Sequence, residues 1–173
     1  MSFVGTLVAA FIRPADMPPR LDSIDDLASV ELDEANAVYL FSRNGWVNDR
    51  IEELSSLGHL PRLPTRRLPA SVFDSRSLSE LKADLDAFLK NLPREPGLLS
   101  EAARELAEEE DVARCAQLAP ATLQAAFAAL NAARSRDEEA EGLETLVCLL
   151  WCLLRMAEHA EAHELTLIVI RSQ

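Results

Sequence analysis

His159 and His163 are four residues apart, so on a helix both imidazoles project from one face, a spacing that can hold a zinc or nickel ion. Glu161, between them, is about 200° round the helix from His159. The set therefore lacks the metalloprotease arrangement, in which a glutamate beside the two ligands serves as base. Histidines near a helix C-terminus also interact favourably with its dipole, and that structural role is the preferred reading, so no metal ligand is assigned. Cys148 and Cys152 are likewise one turn apart, but leucines surround them. A thiolate there would be poorly solvated, and the pair reads as small buried hydrophobes. Cys115 has Arg114 beside it and no histidine close in sequence.

A second group of chemistry-bearing residues lies in a proline-rich stretch, where Arg62, Arg66 and Arg67 accompany His59. Three guanidinium groups on one loop could grip a carboxylate or phosphate. Arginine supplies 15 of the 17 basic residues, however, so such a cluster is partly composition, and a solvated loop is preferred. Trp46, next to Asn44 and Gly45, could anchor a ligand, although half-buried packing is the simpler role. The glycines, at 5, 45, 58, 97 and 142, form no phosphate-cradling loop, and no GxSxG nucleophile turn occurs. No catalytic residue and no cofactor is assigned.

The elements that must position these groups are read from apolar spacing. Residues 146–154, Leu-Val-Cys-Leu-Leu-Trp-Cys-Leu-Leu, are apolar on every side of a helix, and residues 165–170, Leu-Thr-Leu-Ile-Val-Ile, form a continuously apolar strand. Together they predict the centre of a packed mixed domain. Residues 3–12 and 37–42 read as two further strands, the second stopped by Asn44-Gly45. Helices are expected at 23–28, from Asp49 to Gly58 with Ile51, Leu54 and Leu57 on one face, and from a capping box at Ser77. Others are expected from Ser100 to a break at Glu108–Asp111, from Pro120, and from Asp137 to about Glu161. Prolines 61, 64 and 69 make residues 59–76 an irregular surface stretch that admits neither helix nor inner strand. The expectation is an α+β fold of five or six helices on a sheet of about three strands that includes the C-terminal one.

Length and charge bound the function. With 173 residues, one domain spanning 1–173 can bury about 70% of its unfolded surface without metal or disulfide support. The odd, unpatterned cysteine count suits a reducing compartment. Residues 3–12 lack the basic start and small-residue cleavage site of a signal peptide. The apolar helix block is too short to span a bilayer, so a cytoplasmic location is expected. A net charge of −12 argues against nucleic acid and anionic membranes as partners. The acid is uneven, net −4 over residues 1–99 and −8 over residues 100–173.

Residues 115–170 resemble the C-terminal part of the YfbM-like proteins, a bacterial family of unknown function. The likeness lies in the Leu-Ala-Pro-Ala-Thr-Leu segment at 118–123, the acidic connector, the helix ending Arg155-Met156-Ala157-Glu158, and the closing strand. It implies an α+β fold and transfers no residue role.

The function expected from these features is a non-enzymatic, acidic, cytoplasmic protein-binding domain, of the immunity-protein type that binds and neutralises a bacterial toxin. A basic protein partner would meet Glu101, Glu105, Glu108, Glu109, Glu110 and Asp111, with Glu138, Glu139 and Glu141. One alternative is an enzyme or small-ligand binder whose site assembles from His59, Arg66, Arg67 and Trp46. The other is a scaffold or regulatory subunit that dimerises through its Leu and Ala faces.

Overall fold

The apolar run near the chain end becomes the helix against which the other elements are packed. The computed structural model describes residues 6–30, 38–42, 45–92, 115, 117–136 and 143–171. In chain order these form β1 (Leu7–Ile12), β2 (Val38–Ser42), α1 (Gly45–Ser56) and β3 (Ala70–Phe73). Then come α2 (Ser75–Asn91), α3 (Leu123–Arg136), α4 (Leu143–Ala162) and β4 (Thr166–Arg171), while Pro14–Asp16 and Ile24–Ser29 make short 3-10 turns.

The strands form one antiparallel sheet in the order β2-β1-β4-β3. Its two central strands, β1 and β4, are buried along their whole length, which is why both read as unbroken apolar runs rather than alternating ones. Leu7, Ala9, Phe11, Phe73, Leu167 and Val169 face the helices, and α2 and α3 flank α4 in that layer. The opposite face, with Ala10, Ile12, Ile168 and Ile170, is covered by Leu27 and Val30 from the β1–β2 connection. From Leu143 to Leu154 every α4 residue except Trp151 is buried, and each such leucine contributes ~1.5–3 kcal/mol relative to exposure.

The architecture is α+β, as expected, with differences in detail that have physical causes. The sheet has four strands rather than about three, because residues 70–73 within the expected irregular stretch pair with β4. Pro69 is compatible with this, since β3 is an edge strand that begins just after it. Four α-helices are present among the described residues; the helix expected from Ser100, with its break at 108–111, lies outside them. α1 begins at Gly45, ahead of the expected cap at Asp49, and Leu57 is 57% exposed just beyond its end. α2 is capped not by Ser77 but by Asp74, whose carboxylate accepts from the Arg76 and Ser77 backbone N–H groups while Ser77 Oγ accepts from the Asp74 N–H. α3 starts at Leu123, three residues after Pro120, with Thr122 Oγ1 accepting from the Ala125 N–H.

Candidate functional site

The last turn of α4 sets both histidines against an aromatic row that crosses three elements. Phe127 of α3 stacks on Tyr39 of β2, with ring centroids 4.9 Å apart and planes 19° from parallel. Tyr39 meets Phe11 of β1 edge-on at 5.6 Å, and Phe11 lies 4.9 Å from the ring of His159. His159 and His163 are then 4.2 Å apart, centroid to centroid. The row follows from register, because Ala9 pairs with Tyr39, which places Phe11 and Tyr39 on the helix-facing side of adjacent strands. His159 is half-buried and His163 exposed. Desolvation, helped by the neighbouring imidazole, holds His159 below the usual imidazole pKa.

The carboxylates of this turn are engaged elsewhere. Glu161 reaches across to α2, accepting from Lys82 Nζ at 2.8 Å and Ser79 Oγ at 3.3 Å, and the lysine contact keeps its carboxyl below the usual range. Glu158 takes both oxygens to Arg155 Nη1 at 2.8 Å, while Arg155 Nε donates to the Pro120 carbonyl. The expectation that Glu161 stands off the histidine face therefore agrees with the geometry. Among the described residues no three histidine, cysteine or carboxylate side chains gather around a point that could hold a metal ion. Cys115, Cys148 and Cys152 are buried thiols, and burial, with Cys148 adjacent, pushes the Cys152 thiol up to about 12.

The arginine stretch is a largely exposed loop, as composition suggested, but two of its guanidinium groups are paired with acids of neighbouring helices. Arg62 bridges Glu80 (Nε to Oε2, 3.0 Å) and Asp84 on α2. Partial burial opposes its charge, but these two carboxylates hold the guanidinium above its ordinary pKa. Arg66 faces Asp49 and Glu52 of α1 at 3.4 and 3.5 Å, and Arg67 is exposed. The same two acids receive Arg171, a buried guanidinium at the end of β4, which donates to Glu52 Oε2 at 2.8 Å and to the Asn48 carbonyl at 3.2 Å. Arg171 was missed in the sequence because nothing local marks the last residue of a strand as the partner of a helix more than a hundred residues earlier. His59 instead faces Phe88 of α2, with centroids 6.3 Å apart, so its described neighbours differ from those of Arg66. The Trp46 side chain lies outside the described residues.

Glu101, Glu105, Glu108, Glu109, Glu110 and Asp111, with Glu138, Glu139 and Glu141, all lie outside the described residues too. No helix among the described residues is long and apolar enough to cross a membrane. No protein-family model, curated protein or solved structure matches this chain.

Proposed function

We propose that this is a non-enzymatic protein-binding domain of the cytoplasm whose acidic segments attract a basic protein, in the manner of an immunity protein that neutralises a bacterial toxin. The observation that carries the reading is how the charge is divided. Residues 1–99 carry a net charge of −4 and residues 100–173 a net charge of −8. Several ion pairs join α1, α2, α4, β4 and residues 62–66. An acidic surplus concentrated in one part of the sequence suits electrostatically steered association. Of the groups that could serve an enzyme, Cys148 and Cys152 are buried in α4, and Arg62 and Arg66 pair with acids of α2 and α1 respectively. Kinship of residues 115–170 with the YfbM-like proteins is part of the same proposal and adds no residue role.

The test is capture of a basic protein from the host's own extract by the wild type and by a variant with Glu108, Glu109, Glu110 and Asp111 changed to Ser. At low salt the wild type should hold the partner; the variant should hold it more weakly, and moderate salt should weaken both. Equal capture by the two at both salt levels would remove acid-driven recognition. A toxin encoded beside this chain, silenced by its co-expression, would identify the immunity role.

A further inference from the structure

The histidine pair at the end of α4 has features that helix capping alone does not require. Its two rings are already side by side, 4.2 Å between centroids and 39° between planes. Two imidazoles sharing one ion at metal–nitrogen distances of ~2.0–2.1 Å would have centroids about 4.5–5.3 Å apart, so binding asks the pair to open from its 4.2 Å contact, and the exposed His163 is the ring placed to turn. The other ring cannot drift, because His159 is half-buried against Phe11, which is itself fixed between β2 and β4. Among the described residues, neither imidazole spends a ring nitrogen on a hydrogen bond or an ion pair with protein. The nearby carboxylates that would otherwise claim those nitrogens, Glu158 and Glu161, are bound to Arg155 and Lys82. The negative end of the α4 dipole lies at the same place and favours a cation.

We infer that His159 and His163 form a two-imidazole site for a borderline divalent ion, copper, nickel or zinc, one ring nitrogen from each residue binding the metal. Water or a group on a partner completes the coordination, which makes this an open, exchangeable site rather than a closed structural one. Affinity follows the usual order for nitrogen ligands, copper above nickel and zinc. Magnesium and calcium, which demand oxygen ligands, do not compete there. The inference is independent of the acidic-partner reading, since no acid of that reading belongs to the pair.

The full chain is titrated with Cu(II) and with Zn(II) by calorimetry, and the copper complex is read by electron paramagnetic resonance. His163→Gln is the principal variant, because that side chain is exposed and its replacement is expected to leave the fold intact, which circular dichroism checks. His59→Gln serves as the histidine control and retains every acid and cysteine. One equivalent of copper should bind with a two-nitrogen spectroscopic signature, and His163→Gln should weaken it on the order of tenfold or more and simplify that signature. His59→Gln should bind as the wild type does. Equal binding by the wild type and His163→Gln, or a copper spectrum with oxygen ligands alone, would overturn the site and leave the acidic segments as the metal's destination. Excess magnesium should leave the histidine-bound copper in place, and its displacement would likewise overturn the site.

Discussion

Two parts of this molecule are held by opposite physics. The body of α4 is dry, with Leu146 to Leu150, Cys152 and Leu153 almost inaccessible, and its neighbours are other apolar side chains. Around α1 and residues 59–74 the structure is instead tied by charge, with Asp49 and Glu52 receiving Arg66 and Arg171, and Glu80 and Asp84 receiving Arg62. The difference teaches where stability should reside. Apolar burial is additive in area and insensitive to salt, whereas exposed ion pairs contribute little unless one member is desolvated.

The largest effect should therefore come from the dry region. Leu150→Ala removes a fully buried side chain where α4 meets its neighbours and should cost about 2–5 kcal/mol in urea unfolding. A loss under about 1 kcal/mol would mean that α4 repacks freely and is not the anchor of the core. In the charged region the expectation splits by burial. Arg62, with both acids partly exposed, should cost no more than about 1 kcal/mol when changed to Ala. Arg171 is 8% exposed and bridges β4 to α1, so Arg171→Met should cost about 1–3 kcal/mol. A double-mutant cycle with Glu52→Gln should show coupling between them of at least about 0.5 kcal/mol. Additive single effects would mean that Arg171 stabilises through its aliphatic stem rather than its charge.

The same contrast governs what the sequence could disclose. The apolar runs at 146–154 and 165–170 announced α4 and β4, because burial on all sides leaves a local signature that needs no partner to be recognised. β3 was hidden. Its four residues, Ala-Ser-Val-Phe, follow Pro69 and have one buried member, and their strand character comes from Leu167–Ile170 alongside. The cap at Asp74 was passed over for Ser77 because both belong to one reciprocal motif, and only the backbone angles say which residue stands outside the helix. Of the candidate site, the i, i+4 histidine spacing was legible; its support from Phe11 and Tyr39 was not, since that depends on strand register across the β1–β2 connection.

Asp74 allows the charged region to be tested by pH. Hydrogen bonds from Ser77, backbone and side chain, with the Arg76 N–H, hold its carboxyl below the usual range. The unfolded chain therefore takes up that proton first on acidification. The cap's contribution is complete above the ordinary carboxylate value of about 3.9 and is lost as pH falls through the depressed folded value. Asp74→Asn keeps an acceptor but cannot titrate, so its stability should fall less steeply than the wild type's below about pH 4. Parallel curves would assign the acid sensitivity to other carboxylates.

The smallest effect compares the two regions at matched points, the C-terminal ends of α1 and α4. Both close in the same way. At α1 the N–H groups of Leu57, Gly58 and His59 donate to the carbonyls of Glu53, Ser55 and Leu54; at α4 those of His163, Glu164 and Leu165 donate to His159, Glu161 and Ala160. The left-handed residue is Gly58, φ 82°, in the first and Glu164, φ 55°, in the second. Only glycine adopts that conformation without strain from a Cβ, so α4 stores a penalty that α1 avoids. Gly58→Ala, although no atom lies within 4 Å of the added carbon, should cost about 1 kcal/mol through backbone strain alone. Glu164→Gly should raise stability by about 0.5–1 kcal/mol, the reverse sign at an equivalent position. Because Glu164 follows His163 directly, the same variant also asks whether the strain serves the histidine pair. A stabilised protein with weakened copper binding would tie the left-handed turn to ring placement, whereas unchanged binding would mean that helix closure alone requires it.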